Sequence, residues 1–127
     1  MANNLDYNDA LKNAMLDTID GQVGAAGKLQ IFAPTATPTI DAADAGTKVA
    51  DITMGATMMA AAAADAISTA GDTWSDTSAD ATGTANYFRV KTSAAGTGAS
   101  TTIIQGTVGL SAGTFDLELD NTSITAG

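Results

Sequence analysis

The chain contains no cysteine and no histidine, and carries only 5 lysines and arginines against 14 aspartates and glutamates in 127 residues. Histidine is the usual proton carrier near neutral pH, and His with Cys supplies most transition-metal sites. Ser-His-Asp and Cys-His nucleophilic schemes, thiol chemistry and nearly all zinc sites therefore fall away. No disulfide framework can form. Aromatics make up 5 %, and much of the 45 % hydrophobic fraction is alanine. Large core-fillers are thus few; Leu5, Leu29, Ile31, Val49, Met54, Ile67, Val90, Val108 and Leu117 are among them. Burying one such side chain stabilises by about 1.5–3 kcal/mol, against about 1–2 kcal/mol of ordering cost per residue. An isolated monomer is expected to be marginal, and association is the favoured outcome.

The formal charge of −9 argues against nucleic acid and anionic membrane surfaces, because phosphates need Lys and Arg partners. The start, Met1-Ala2-Asn3-Asn4-Leu5-Asp6, has neither a basic n-region nor an apolar h-region, so a soluble protein made in the cytoplasm and not exported is expected. The longest apolar run, Met58 to Ala64, is well below the roughly 18–20 residues that span a bilayer. Length suits one domain over residues 1–127.

Residues 4–20 have helical character and could form a lid or a docking arm. Tyr7, Leu11, Ala14, Met15, Thr18 and Ile19 fall on one face, Asn4 or Asp6 can cap the start, and Gly21 ends the pattern. From residue 28 onward the signals turn to β. Leu29, Ile31 and Ala33 alternate with Lys28, Gln30 and Phe32, and Pro34 and Pro38 then force an extended loop. Residues 48–54 read as a second strand ended by a bulge or turn at Gly55. The alanine-rich segment 56–66 is ambiguous; extended structure is favoured because its neighbours are rich in Thr, Gly and β-branched residues. Residues 68–84 read as loop with room for one short strand, followed by strands at 85–92, 101–110 and 114–120. Gly106 and Gly109 mark possible bulges. The whole predicts a mainly β chain: an antiparallel β-sandwich or jelly-roll-like barrel preceded by a short N-terminal α-helix.

No grouping specifies catalysis. Asp116, Glu118 and Asp120 share a strand face about 7 Å apart and could hold Ca²⁺ or Mg²⁺, but a solvated face that discourages edge pairing is the better account. Asp72, Asp76 and Asp80 lack the EF-hand pattern and read as turn formers. Gly96-Thr-Gly98 and Gly106-Thr-Val-Gly109 are not followed by the Lys-Ser/Thr of a phosphate loop, and the sequon Asn121-Thr-Ser123 carries no weight without a secretion signal. Arg89 and Lys91 share a strand face and are expected to pair with the acidic strand. Trp74 suits either an interface anchor or a plug at the end of the sandwich. No metal or other cofactor is expected.

The stretch Asp76-Thr-Ser-Ala-Asp80-Ala-Thr-Gly-Thr-Ala-Asn-Tyr-Phe-Arg-Val-Lys91, then Gly106-Thr-Val-Gly109 and Phe115-Asp-Leu-Glu-Leu-Asp-Asn-Thr-Ser-Ile-Thr-Ala-Gly127, resembles a group of short tailed-phage virion proteins. The resemblance implies a capsid-associated protein, most plausibly a decoration or cement protein that staples the major capsid protein lattice as a homo-oligomer, dimer or trimer, on the virion surface. Tail, neck or fibre components and a Ca²⁺- or glycan-binding β module are the alternatives. Interface contributors are expected at Tyr7, Leu11, Met15, Met58, Met59 and Trp74, since Met and aromatics favour contact surfaces. Similar chains often continue past the final Ile-x-x-Gly into another strand, so a neighbour's strand is expected to complete the sheet.

Overall fold

Helix α1 (Asp9–Val23) starts where Asn8 caps it: Asn8 Oδ1 accepts the Leu11 N–H at 2.8 Å, and Asp9 puts negative charge in the first turn. This computed structural model describes residues 7–33, 36–64, 66, 68, 71, 73–93 and 101–127. The candidate caps Asn4 and Asp6, the core candidates Leu5 and Ile67, Pro34, Asp72 and the Gly96–Gly98 turn lie outside the described residues. The helix continues through Gly21 and stops at Gly24, whose φ of +71° suits glycine and whose N–H donates to the Asp20 carbonyl at 2.9 Å.

The strands are β1 (Lys28–Ala33), β2 (Thr47–Thr53), β3 (Gly83–Thr84), β4 (Tyr87–Lys91), β5 (Thr102–Leu110), β6 (Leu117–Leu119) and β7 (Ser123–Ile124). The chain is mainly β, as its alternation predicts. A curled five-stranded sheet has the order β2-β1-β4-β5-β6, and β3 pairs with β7 in a small second sheet. β1, β2, β4 and β5 pair antiparallel, but β6 joins β5 in parallel, with Leu117 opposite Val108. A parallel pair normally needs a long crossover. Here residues 111–116 need only return about 7 Å along β5, because β6 is three residues long. The chain's last strand is paired with β3 of the same chain, so the expected loan of a neighbour's strand finds no support there.

One sheet face is apolar. Leu29 and Val90 join Val23, Met54 and Met58, with Ile19, Ile103 and Ile104 packed around them. Ile31, Val49, Ala50, Ala85 and Val108 form a second cluster, closed by Leu117 and Leu119. Glycine makes room for rings on β5. A Cβ on Gly106 would lie 2.6 Å from the Phe88 ring, and one on Gly109 2.1 Å from that of Phe115. Those two glycines therefore serve close approach, and the β4–β5 register shift falls instead between Val90 and Lys91, opposite Ile103.

The alanine-rich segment adopts neither helix nor strand over the described part of residues 56–66, apart from single bridge residues at Met59 and at Ala63 and Ala66. Ala60 N–H donates to the Ser68 carbonyl and Ala63 N–H to that of Ala66, and three further backbone donors go to the helix. Asp20 Oδ1 accepts from the N–H groups of Met58 and Met59 at 2.7 and 3.0 Å, and Asp17 Oδ1 from that of Ala62 at 2.7 Å. Those carboxylates replace the ladder that the expected strand would have supplied.

Candidate interaction surface

The six nominated interface residues divide into two groups. Tyr7, Leu11 and Met15 point outward, at 45, 46 and 56 % exposure. Of the face formed by Tyr7, Leu11, Ala14, Met15, Thr18 and Ile19, only Ile19 packs against the core. The inner line is Leu16, Ile19 and Val23, whose spacing of three and four residues follows the helical period. Met58 is 1 % exposed and belongs to the core, so it is not a contact residue on this surface. Met59 is half-buried and lines an open cleft of about 330 Å³ with Asp17, Asp20, Thr57, Ala60 and Ala61. Trp74 packs against the core cluster as a plug, its Nε1 buried without a hydrogen-bond partner.

The opposite sheet face is polar, and two bulges assemble it. Strand alternation places Lys28, Gln30 and Phe32 on it, beside Tyr87, Arg89 and Lys91. On β2 the register shifts between Ile31 and Phe32, so Ala50 faces Ile31 while Lys48 faces Phe32. Lys48 and Asp51, of opposite parity, thereby share this face. The shift opposite Ile103 does the same for Thr102 and Gln105 on β5. One row crosses four strands: Asp51, Gln30, Arg89, Gln105. Gln30 Nε2 donates to Asp51 Oδ2 at 3.1 Å, and Arg89 Nε to Gln105 Oε1 at 2.8 Å. Four of the chain's 5 Lys and Arg residues, Lys28, Lys48, Arg89 and Lys91, stand on this face.

Arg89 and Lys91 do not pair with the acidic strand. Both are 0 % exposed, and both meet Asp44 in the β1–β2 connection. Arg89 Nη1 reaches Asp44 Oδ1 at 2.9 Å, and Lys91 Nζ its two oxygens at 2.7 and 2.6 Å. Arg89 also donates to the Thr39 and Ala42 carbonyls, and lies over the Tyr87 ring. Tyr87 stacks on Phe32 at 4.9 Å and exchanges hydrogen bonds with Ala45. Burial pushes the Tyr87 phenol up, although the Ala45 hydrogen bond and the Arg89 charge pull it the other way.

Asp51 sits between Lys28 and Lys48. Partial burial raises its carboxyl, but hydrogen bonds from Lys48 and Gln30 and the two lysine charges outweigh that and hold it below the usual range. Burial lowers Lys48, and Asp51 and Asp80 more than offset it, leaving the ammonium raised. Asp76 forms the expected turn: its Oδ1 accepts the Ser78 N–H, and its Oδ2 accepts the Asp51 N–H at the outer edge of β2. Asp80 N–H donates to the Val49 carbonyl, so residues 76–80 seal that edge.

On the other edge, Asp116, Glu118 and Asp120 are exposed. Asp116 Oδ2 accepts from the Thr107 N–H and hydroxyl at 2.8 and 2.9 Å, which holds its carboxyl below the usual range. Among the described residues no group of three or more carboxylates could hold a metal ion, and no helix is long and apolar enough to cross a membrane. The polar face escaped the sequence reading because unbroken alternation puts Lys48 and Asp51 on opposite sides. Its legible signal was the placing of four cations within three strands.

No protein family, no curated protein and no solved structure matches this chain.

Proposed function

We propose that this chain is a virion structural protein of a tailed phage, acting as a capsid decoration protein on the assembled head. The observation that carries the reading is the outer ridge of α1: Leu11 and Met15 stand one turn apart, about half exposed, with exposed Tyr7 just ahead of the Asn8 cap, on a helix whose Ile19 and Val23 pack into the core. Single exposed apolar residues are ordinary, but aligned ones on an anchored helix suit a groove on a partner. The resemblance of residues 76–127 to short phage virion proteins names the partner class, the major capsid protein. The mechanism is stapling: each copy, alone or in a dimer or trimer, adds buried area across several shell subunits and resists internal pressure. The exposed carboxylates of β6 and its flanks stay toward solvent.

The test is to mix purified protein with emptied, expanded capsids of the phage that carries its gene. Saturable binding at a fixed ratio to the shell subunit is expected. Absence from shells, with recovery on purified tails or necks, replaces decoration by the tail reading.

A further inference from the structure

The β1–β2 connection lies across the polar sheet face, and none of its residues from 36 to 46 is buried. Beneath it Tyr87, Arg89 and Lys91 are all at 0 % exposure. Its one large aliphatic side chain among the described residues, Ile40, is 39 % exposed and so is not a core anchor. The specific ties are polar. Arg89 and Gln105 donate to the Thr39, Ala42 and Pro38 carbonyls, Tyr87 exchanges hydrogen bonds with Ala45, and Thr37 donates to the Asn86 side chain. Asp44 supplies the charge, receiving an arginine and a lysine on its two oxygens. Gly46, at φ +79°, ends the segment where β2 begins.

Arg89 and Lys91 thus form a ready carboxylate-binding site, and a surface loop occupies it. We propose that residues 36–46 are a releasable strap, that Asp44 is an intramolecular occupant of this site, and that a carboxylate-rich segment of a partner protein replaces it when the strap lifts. The physical reasons are two. A segment that buries none of its own side chains and is tied down mainly by hydrogen bonds belongs to the low-stability end of a fold, able to open while the sheet stays closed, at the cost of wetting the Tyr87 and Phe32 rings it covers. Buried Arg89 cannot be left without an anion, since an uncompensated buried charge costs several kcal/mol, so an open strap leaves its guanidinium hydrated or bound to another carboxylate. The device does not rest on the decoration reading, because the partner is specified by its carboxylates alone.

The test uses the full chain, hydrogen exchange and poly-L-glutamate as the probe, at physiological ionic strength. Added to the wild type, excess probe should speed exchange of the Ala45 amide, which donates to Tyr87, by about tenfold while amides of β1 and β4 keep their protection. Asp44→Asn, which keeps the size of the side chain, should bind the probe about tenfold more tightly than the wild type. No change at Ala45, or uniform acceleration across strap and sheet, overturns the proposal. So does equal affinity of the two proteins for the probe. If Asp44→Asn does not fold, the wild-type exchange experiment decides alone.

Discussion

Lys48 and Asp51 form an ion pair of 2.5 Å although they stand three residues apart on one strand. Regular pleating would send them to opposite faces. The bulge opposite the Ile31–Phe32 step brings them together and places Asp51 in line with Gln30. A local irregularity thus decides which face carries the charges.

That pair gives the protein its pH window. Asp51 and Asp116 are depressed in the fold, so their stabilisation is present above the unfolded carboxylate range and is lost as pH falls through their folded values. Lys48 and Tyr87 are raised, so theirs is complete below about pH 10 and is lost as pH rises through the folded values. With no histidine, thermal midpoints should stay level between about pH 5 and 9 and fall outside that range. A sharp optimum inside the plateau contradicts this account.

Asp20→Ala strips the acceptor from the Met58 and Met59 amides and should destabilise by about 1–3 kcal/mol. Asp20→Asn, which keeps a carbonyl oxygen, should recover part of the loss. Urea unfolding of the three proteins measures both, and equal midpoints would refute the role of Asp20.

Met58→Ala should cost about 2–5 kcal/mol, as a core truncation does, while Met15→Ser should stay within about 0.5 kcal/mol of wild type. Capsid binding should reverse the order: Met15→Ser paired with Leu11→Ser should weaken it at least about tenfold, or 1.4 kcal/mol. A doubly substituted protein that folds and binds capsids as well as wild type removes α1 from the interface.

Gly109→Ala drives a methyl into the Phe115 ring and should cost about 1–3 kcal/mol. In a Phe115→Ala background the same change should become neutral or stabilising by about 0.4–1 kcal/mol, because alanine restricts the unfolded chain more than glycine does. A double-mutant cycle by urea unfolding shows the coupling, and additive effects argue against it.

The spans of β1 and β4 were legible in the sequence because Leu29 and Ile31, and Phe88 and Val90, alternate cleanly within them, whereas the bulges on β2 and β5 were not. The helix was legible as a helix, but its orientation was not. Tyr7, Leu11 and Met15 are exposed, and of the apolar face only Ile19 joins Val23 in the core. Residues 56–64 were opaque for another reason. Their path is set by Asp17 and Asp20, some forty positions earlier, and not by their own propensities. Asp44 as partner of Arg89 and Lys91 is likewise a contact across 45 and 47 positions, which no local pattern encodes.

The covered face also changes how the molecule presents itself to others. Arg89 and Lys91 contribute nothing to the solvent-facing surface, and Lys28 and Lys48 only part of their length. The exterior is therefore more anionic than the formal charge of −9 suggests. Free copies repel one another at low ionic strength and stay dispersed at high concentration, and self-association becomes easier as salt is added.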